Sequence, residues 1–396
     1  MTPLLLSAYT ATTCLGRGLD AARHALHAGR SGLAPCAFET VKLDTWVGEV
    51  AGVDDEKLPA RLADYDCRNN RLTQMGLETD GFGDRVREAV ARHGKARVGV
   101  FLGTSTSGIL ETEIAYRHRD PASGALPDGF NYRTTHNSFS LAEFTRAYFG
   151  LEGMAVAIST ACSSSAKVFA AAARQIELGL IDAAIVGGVD TLCLTTLYGF
   201  ASLQLTSPRP CRPYDATRDG ISIGEGAGFA LLERADNAAP GSVLLLGAGE
   251  SSDAYHMSSP HPEGLGARLA MEAALRSAGL APDDIGYINL HGTATPANDA
   301  AEGKAVTALF GDRVPCSSTK GATGHTLGAA GAIEAVICAL ALADGVLPGS
   351  PGTAARDPAI SVQYLLESRA TAVRRVLSNS FGFGGSNCSL VFGVAA

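Results

Sequence analysis

Short apolar, β-branched runs alternate with helix-period segments along almost the whole chain. The stretches "RVGVFLGTS" (97–105), "MAVAIS" (154–159) and "DAAIVGGVD" (182–190) predict buried strands, and the opening "MTPLLLSAYTATTC" predicts a first strand. A helix over 163–179 separates the second and third of these runs, giving a compact strand–turn–helix–strand unit. The alternation resumes with strands over 228–233, 242–249, 285–292, 313–318, 376–381 and 388–393, and helices over 263–279, 299–310 and 328–342. Apolar strands separated by helices are the pattern of an α/β fold, a mostly parallel sheet with helices on its faces. The mixed polar segments 35–65 and 105–137 read as cap elements, and "DNAAPGS" near 240 divides the chain into a half spanning 1–240 and a half spanning 241–396.

At 396 residues the chain is longer than a single core usually grows, which agrees with two halves. It is 46% hydrophobic and 18% charged, a composition able to fill a large core. A formal net charge of -8 without a basic run argues against a nucleic-acid or anionic-membrane surface as the main partner. The leucines near the start lack a basic flank and a signal-length apolar region, and no apolar window long enough to cross a membrane is free of polar residues. Nine scattered cysteines form no Cys-x-x-Cys pair and read as reduced thiols. The expectation is a cytoplasmic protein.

One cysteine stands out. In "MAVAISTACSSSAKVF" a strand runs straight into a helix, and Cys162 falls at the turn, beside backbone N–H groups and a helix dipole that favour an anion. Such a place suits a nucleophilic thiolate of lowered pKa; it equally suits a small buried packing residue. His291 in "INLHGTATPAND" and His325 in "STKGATGHTLGAAGAIEA" follow strands in glycine-rich loops, where α/β folds gather site residues, although hydrogen-bonded loop histidines occur there too. His24, His27, His93 and His118 read as surface residues; His136, His256 and His261 are left open. No four-ligand zinc spacing is visible, so no metal is expected.

Together "STACSSSAKVF", "HGTATPAND", "KGATGHTLGAAGAIEA" and "SNSFGFGGSN" resemble, in the same order, the β-ketoacyl-[acyl-carrier-protein] synthases of the condensing-enzyme superfamily. The resemblance implies a thiolase-like fold, two similar halves in five α-β-α-β-α layers, with the cysteine in the first half and both histidines in the second. It implies Cys162 as the nucleophile that accepts the acyl chain, and His291 and His325 as the pair that holds the malonyl thioester carbonyl and its enolate. Lys320 is implied as the electrostatic guide of that site. The backbone N–H groups of Cys162 and Phe383 are implied as an oxyanion hole, with Phe383 as a gate. Thr293, Thr295, Asp253 and Ser258 are implied at the substrate channel, the last two on a second mobile loop that carries His256. Glu334 and Asn298 are implied as an internal polar cluster, in some relatives around a monovalent cation. The implied partners are an acyl carrier protein, met by Arg68, Arg71 and Arg209, and a second ketosynthase-like subunit in a homodimer or heterodimer. No cofactor is implied.

"FLGTSTSGILETE" (101–113) departs from the glycine-rich sequence common in these enzymes, which moves the expectation toward a specialised aryl-polyene or polyketide branch rather than housekeeping fatty-acid elongation. A non-catalytic chain-length-factor-like subunit is the alternative, against which Cys162 weighs. A serine hydrolase lacks its G-x-S-x-G elbow, and "LLLGAGESSD" carries Ser252 where a dinucleotide fingerprint needs its third glycine.

Overall fold

The computed structural model describes residues 1–236 and 238–396. The first half contains β1 (Leu4–Thr13), α1 (Gly18–His27), α2 (Arg68–Leu77), α3 (Phe82–His93), β2 (Val98–Gly103), α4 (Ile109–Arg117), α5 (Ser140–Phe149), β3 (Ala155–Ile158), α6 (Ser164–Glu177), β4 (Ala183–Asp190), α7 (Leu194–Ser202) and β5 (Gly226–Arg234). The second contains β6 (Val243–Ser252), α8 (Leu265–Ala278), β7 (Tyr287–Asn289), α9 (Pro296–Phe310), β8 (Pro315–Ser317), α10 (Lys320–Thr323), α11 (Ala330–Asp344), β9 (Gln363–Tyr364), β10 (Arg375–Gly382) and β11 (Ser386–Val394).

The strands reveal a duplication that no sequence repeat announces. In the first half they lie in the order β1-β5-β4-β2-β3, and in the second β6-β11-β10-β7-β8, with β9 added at the far edge. Each half repeats the same senses: the first three are antiparallel neighbours and the last three parallel ones. The halves meet where β1 and β6 pair antiparallel, Leu4 with Leu245 and Leu5 with Leu244. The sheet is therefore mixed rather than mostly parallel, because each half closes with a hairpin-like return instead of a further crossover.

Helices α6 and α11 lie between the two halves of the sheet, sharing one core that includes Phe169, Ile176, Ala335, Ala339 and Phe392. Outer layers cover the far faces: α2, α3 and α5 through Leu72, Phe82, Val86 and Leu141, and α8 and α9 through Ala270, Met271, Ala305 and Phe310. This is the expected five-layer, thiolase-like arrangement. The segment Leu327–Asp344 has a mean hydropathy of 1.8 and the length of a membrane span, but Glu334 interrupts it, as the sequence expectation requires, and 89% of it is buried in the protein. Its apolarity follows from its place in the middle layer, where both faces meet protein.

Two predicted strands shrink. The runs 285–292 and 313–318 pair only over Tyr287–Asn289 and Pro315–Ser317, since the residues beyond turn outward into loops. β3, predicted buried, is half-buried along its length because it is an edge strand.

Candidate active site

The five catalytic candidates leave the carboxyl ends of parallel strands, where α/β sheets collect ligands. Cys162 follows β3, His291 follows β7, Lys320 and His325 follow β8, and Phe383 follows β10. The turn before the cysteine is strained, with Ala161 at φ 52. The serines after it are turn staples rather than nucleophiles: Ser163 Oγ donates to Thr160 O at 2.9 Å and Ser164 Oγ to Ala161 O at 2.6 Å. Gly382 passes so close that a Cβ there would sit 2.6 Å from Thr160 O, so glycine is required where the Phe383 turn crosses the cysteine turn.

Cys162 Sγ and His325 Nε2 are 3.0 Å apart, and the His291 and His325 rings stand 5.3 Å apart at 83°. Burial pushes the thiol up to about 12, opposed by Lys320 and assisted by Asp190. This corrects the expectation of a lowered pKa, because loss of water outweighs the helix N-terminus. Burial, with the Lys320 charge, also holds both imidazoles well below their usual range. The resting pair is therefore a neutral thiol beside a neutral imidazole. Ligand atoms of the three residues all lie within 4.8 Å of one another, a set that suits a zinc-like ion by softness and spacing, while the nearby Lys320 ammonium opposes a cation.

Lys320 is fully buried and its Nζ is ion-paired with Glu334. Desolvation raises the Glu334 carboxyl to about 7 despite that partner. Asn298 is not in this cluster: its Nδ2 donates to Asp299 Oδ1 at 3.1 Å and the residue lines the open pocket. Among the described residues, the buried side-chain atoms without a hydrogen-bond partner include Glu334 Oε2, both amide atoms of Asn289 and Ser378 Oγ. Asn289 and Ser378 are paired across β7 and β10, and Ser378 reaches Cys338, one turn beyond Glu334. The Lys320 ammonium, ion-paired with Glu334, supplies the positive charge beside them.

An apolar pocket of about 230 Å³, open to solvent, leads to the trio; Thr293, Thr295, Asp253, Ser258 and Phe383 are among its walls. Its two mobile-loop candidates are tied together, since Gly384 N–H donates to Met257 O at 2.7 Å and Asp253 N–H to Gly385 O at 2.9 Å. Phe383 is 36% exposed and packs on Phe200 at 5.6 Å between ring centres.

The beta-ketoacyl synthase N-terminal domain family matches residues 68–238 and the C-terminal domain family residues 243–353. The chain is 34% identical to 3-oxoacyl-[acyl-carrier-protein] synthase 2 of Vibrio cholerae, covering 96% of this chain and 95% of that one. The chain belongs to the β-ketoacyl synthase family. Among solved structures it resembles a chain from a ketosynthase (ApeO) in complex with its chain length factor (ApeC) from Xenorhabdus doucetiae, with 40% identity, a TM-score of 0.88 and coverage of 100% and 98%. The ishigamide ketosynthase/chain length factor matches at 26% identity and a TM-score of 0.89 over 100% of both chains.

For a β-ketoacyl synthase the arginines divide unexpectedly. Arg68 cannot meet a carrier protein: its side chain is 3% exposed and ion-paired with Glu225, Asp54 and Glu49. Arg71 is held by Asp66, and Arg209, 57% exposed, by Asp219. His136 bonds Thr112 at 2.7 Å, while His256 and His261 cap their own loop through Ser258 N–H and Glu263 N–H.

The sequence reading missed Asp299 and Glu302. Glu302 accepts from His291 N–H and Gly292 N–H, both at 2.8 Å, and Asp299 accepts from Thr293 N–H at 3.0 Å and Tyr214 N–H at 2.8 Å. Their signal was present as two carboxylates three apart in "NDAAEGK", which a helix places on one face.

Proposed function

We propose that this chain carries out the decarboxylative condensation of an acyl thioester with a malonyl thioester on an acyl carrier protein, yielding a 3-oxoacyl thioester. The observation that carries this is the convergence of Cys162, His291 and His325 at the inner end of one apolar pocket. In the first stage the Cys162 sulfur attacks the acyl thioester and its proton passes to the departing carrier sulfur, so that free carrier thiol leaves and acyl-Cys162 remains. In the second, the malonyl C–C bond breaks to release carbon dioxide, and N–H groups of His291 and His325 stabilise the enolate oxygen. The enolate carbon attacks the acyl-Cys162 carbonyl under the Cys162 and Phe383 backbone N–H groups, and the Cys162 thiolate leaves and takes up one proton from solvent. The low basicity of both histidines favours neutral donors that cost little to reorganise.

Pairing with a second ketosynthase-like chain is part of this reading. It is supported by the free, half-buried edge of β3 and by the two ketosynthase–chain length factor pairs among the structural relatives. The polar 104–107 loop supports a specialised acyl chain, of aryl-polyene or polyketide type, over a housekeeping one. The nine unpaired cysteines support a cytoplasmic setting. Retention of Cys162 in hydrogen-bond reach of His325 disfavours a purely non-catalytic partner role. Intact-protein mass spectrometry tests the reading: wild-type protein mixed with short saturated, long saturated and polyunsaturated acyl-carrier thioesters should gain the acyl mass, and Cys162→Ala should gain none. Loading on both proteins, or on neither, would remove Cys162 as the nucleophile.

A further inference from the structure

We propose that Asp190 is a positioning residue for the condensation, fixing the loop that carries His325 relative to Cys162; this rests on the ketosynthase reading. Asp190 ends β4 and is fully buried. Its Oδ1 accepts from Thr104 Oγ1 at 2.7 Å, Ser105 N–H at 2.8 Å, and Thr106 N–H and Oγ1 at 2.9 Å. Its Oδ2 accepts from the Ser105 hydroxyl and from Gly328 N–H at 2.5 Å. Five of these donors belong to the loop after β2, in the same half. The sixth crosses into the other half, three residues beyond His325.

The His325 loop is thereby held at both ends. At one end His325 N–H donates to Ser222 O at 2.7 Å, and Gly224 N–H donates to His325 O at 3.0 Å. At the other, the Asp190 contact follows Leu327, which stands at φ 50. A Cβ on Gly328 would lie 2.7 Å from Ser105 N and 2.8 Å from Asp190 Oδ2, so the approach is closed to any larger residue. Every group facing the carboxylate is a donor. An asparagine would offer one acceptor oxygen and turn N–H groups toward donors, which unseats part of the set. The Ser/Thr loop thus completes a clamp that joins the two halves beside the nucleophile.

Asp190 touches no reacting atom and acts through Gly328, while its charge adds to the high pKa of the thiol. The other groups facing Cys162 are Lys320, Glu334 and the imidazoles of His325 and His291.

The test compares wild type, Asp190→Asn and Gly328→Ala by thermal melting, by kcat and KM for malonyl-carrier condensation, and by the pH profile of Cys162 alkylation with iodoacetamide. Misplacing His325 by an ångström-scale shift should lower kcat about 10- to 100-fold in both variants, with KM within about threefold. Asp190→Asn should also move the alkylation profile to lower pH, whereas Gly328→Ala, which keeps the carboxylate, should leave it in place. Wild-type kcat in either folded variant would overturn the proposal, as would losses that only track the fraction of unfolded protein. Should Asp190→Asn fail to fold, Gly328→Ala decides alone. A wild-type enzyme that neither acylates nor condenses would instead overturn the ketosynthase reading, and this inference with it.

Discussion

The Glu302 carboxylate receives the backbone N–H of His291 at 2.8 Å and that of Gly292 at the same distance, so helix α9 sets the height of a histidine it does not contain. Asn379 Nδ2 adds a third donor at 3.1 Å. Replacement by alanine leaves those buried donors without an acceptor, at a cost of about 1–3 kcal/mol each. Glu302→Ala should melt markedly lower than wild type; Glu302→Gln should recover part of the melting temperature and less of the decarboxylation rate. Calorimetry beside a carbon dioxide release assay reads both.

Cys162 and the histidines should separate the two stages. Cys162→Ala should abolish acyl loading, whereas His291→Ala should load the acyl group and lose about 10²–10³ in malonyl decarboxylation, the scale for removing one oxyanion donor. Equal decarboxylation by His291→Ala and wild type would show that His291 does not hold the enolate.

Lys320 and Glu334 form a buried ion pair, and removing one partner of such a pair typically costs about 3–5 kcal/mol. Lys320→Met should therefore destabilise strongly, and adding Glu334→Gln should restore much of the loss. Chemical denaturation of the two single variants and the double variant measures the coupling.

The pH dependence follows from protons bound in each state. The folded imidazoles titrate well below 6.5, so the unfolded chain takes up more protons as pH falls through 6.5, and stability is lost on that side. The folded thiol titrates at about 12 against 9.0 for an ordinary cysteine, so the unfolded chain releases its proton first and stability falls as pH rises above 9.0. Thermal melts of His291→Asn/His325→Asn should show a shallower acid limb than wild type. Alkylation of wild-type Cys162 should climb about tenfold per pH unit between 7 and 9 without a plateau.

Charge reversal separates the arginines. Arg209→Glu should raise KM for carrier-bound substrate and spare a small thioester surrogate; an equal change with both substrates would remove this exposed arginine, which also pairs with Asp219, from the docking surface. Arg68→Ala should lower the melting temperature and leave the ratio of the two KM values unchanged, since it strands the buried Glu225 carboxylate.

Most strands of the sheet, the helix after Cys162, the junction at Cys162 and the four motifs around Cys162, His291, Lys320/His325 and Phe383 were legible in the sequence, because each depends on neighbours along the chain; the other first-half helices were not. Apolar runs form strands, small residues make the turn into α6, and glycines permit the Phe383 turn. The 163 positions between Cys162 and His325 were not bridged by any pattern; only the resemblance joined them, and only packing puts their atoms 3.0 Å apart. Arg68 read as a surface arginine because its partners Glu225, Asp54 and Glu49 lie elsewhere in the chain.

What the sequence determined by itself is the local grammar: which segments become strands and helices, where glycine is obligatory, and which side chains with reactive chemistry stand at strand ends. Tertiary structure alone decided the repeated strand order, the mixed senses of the sheet, the burial that turns Cys162 into a high-pKa thiol, and the use of Glu302, Asp299 and Asp190 as supports. The physical reason is that pairing, desolvation and hydrogen bonding to a distant backbone depend on which segments meet. That is settled by how two sheets and the helices between them pack, not by the residues on either side of a given position.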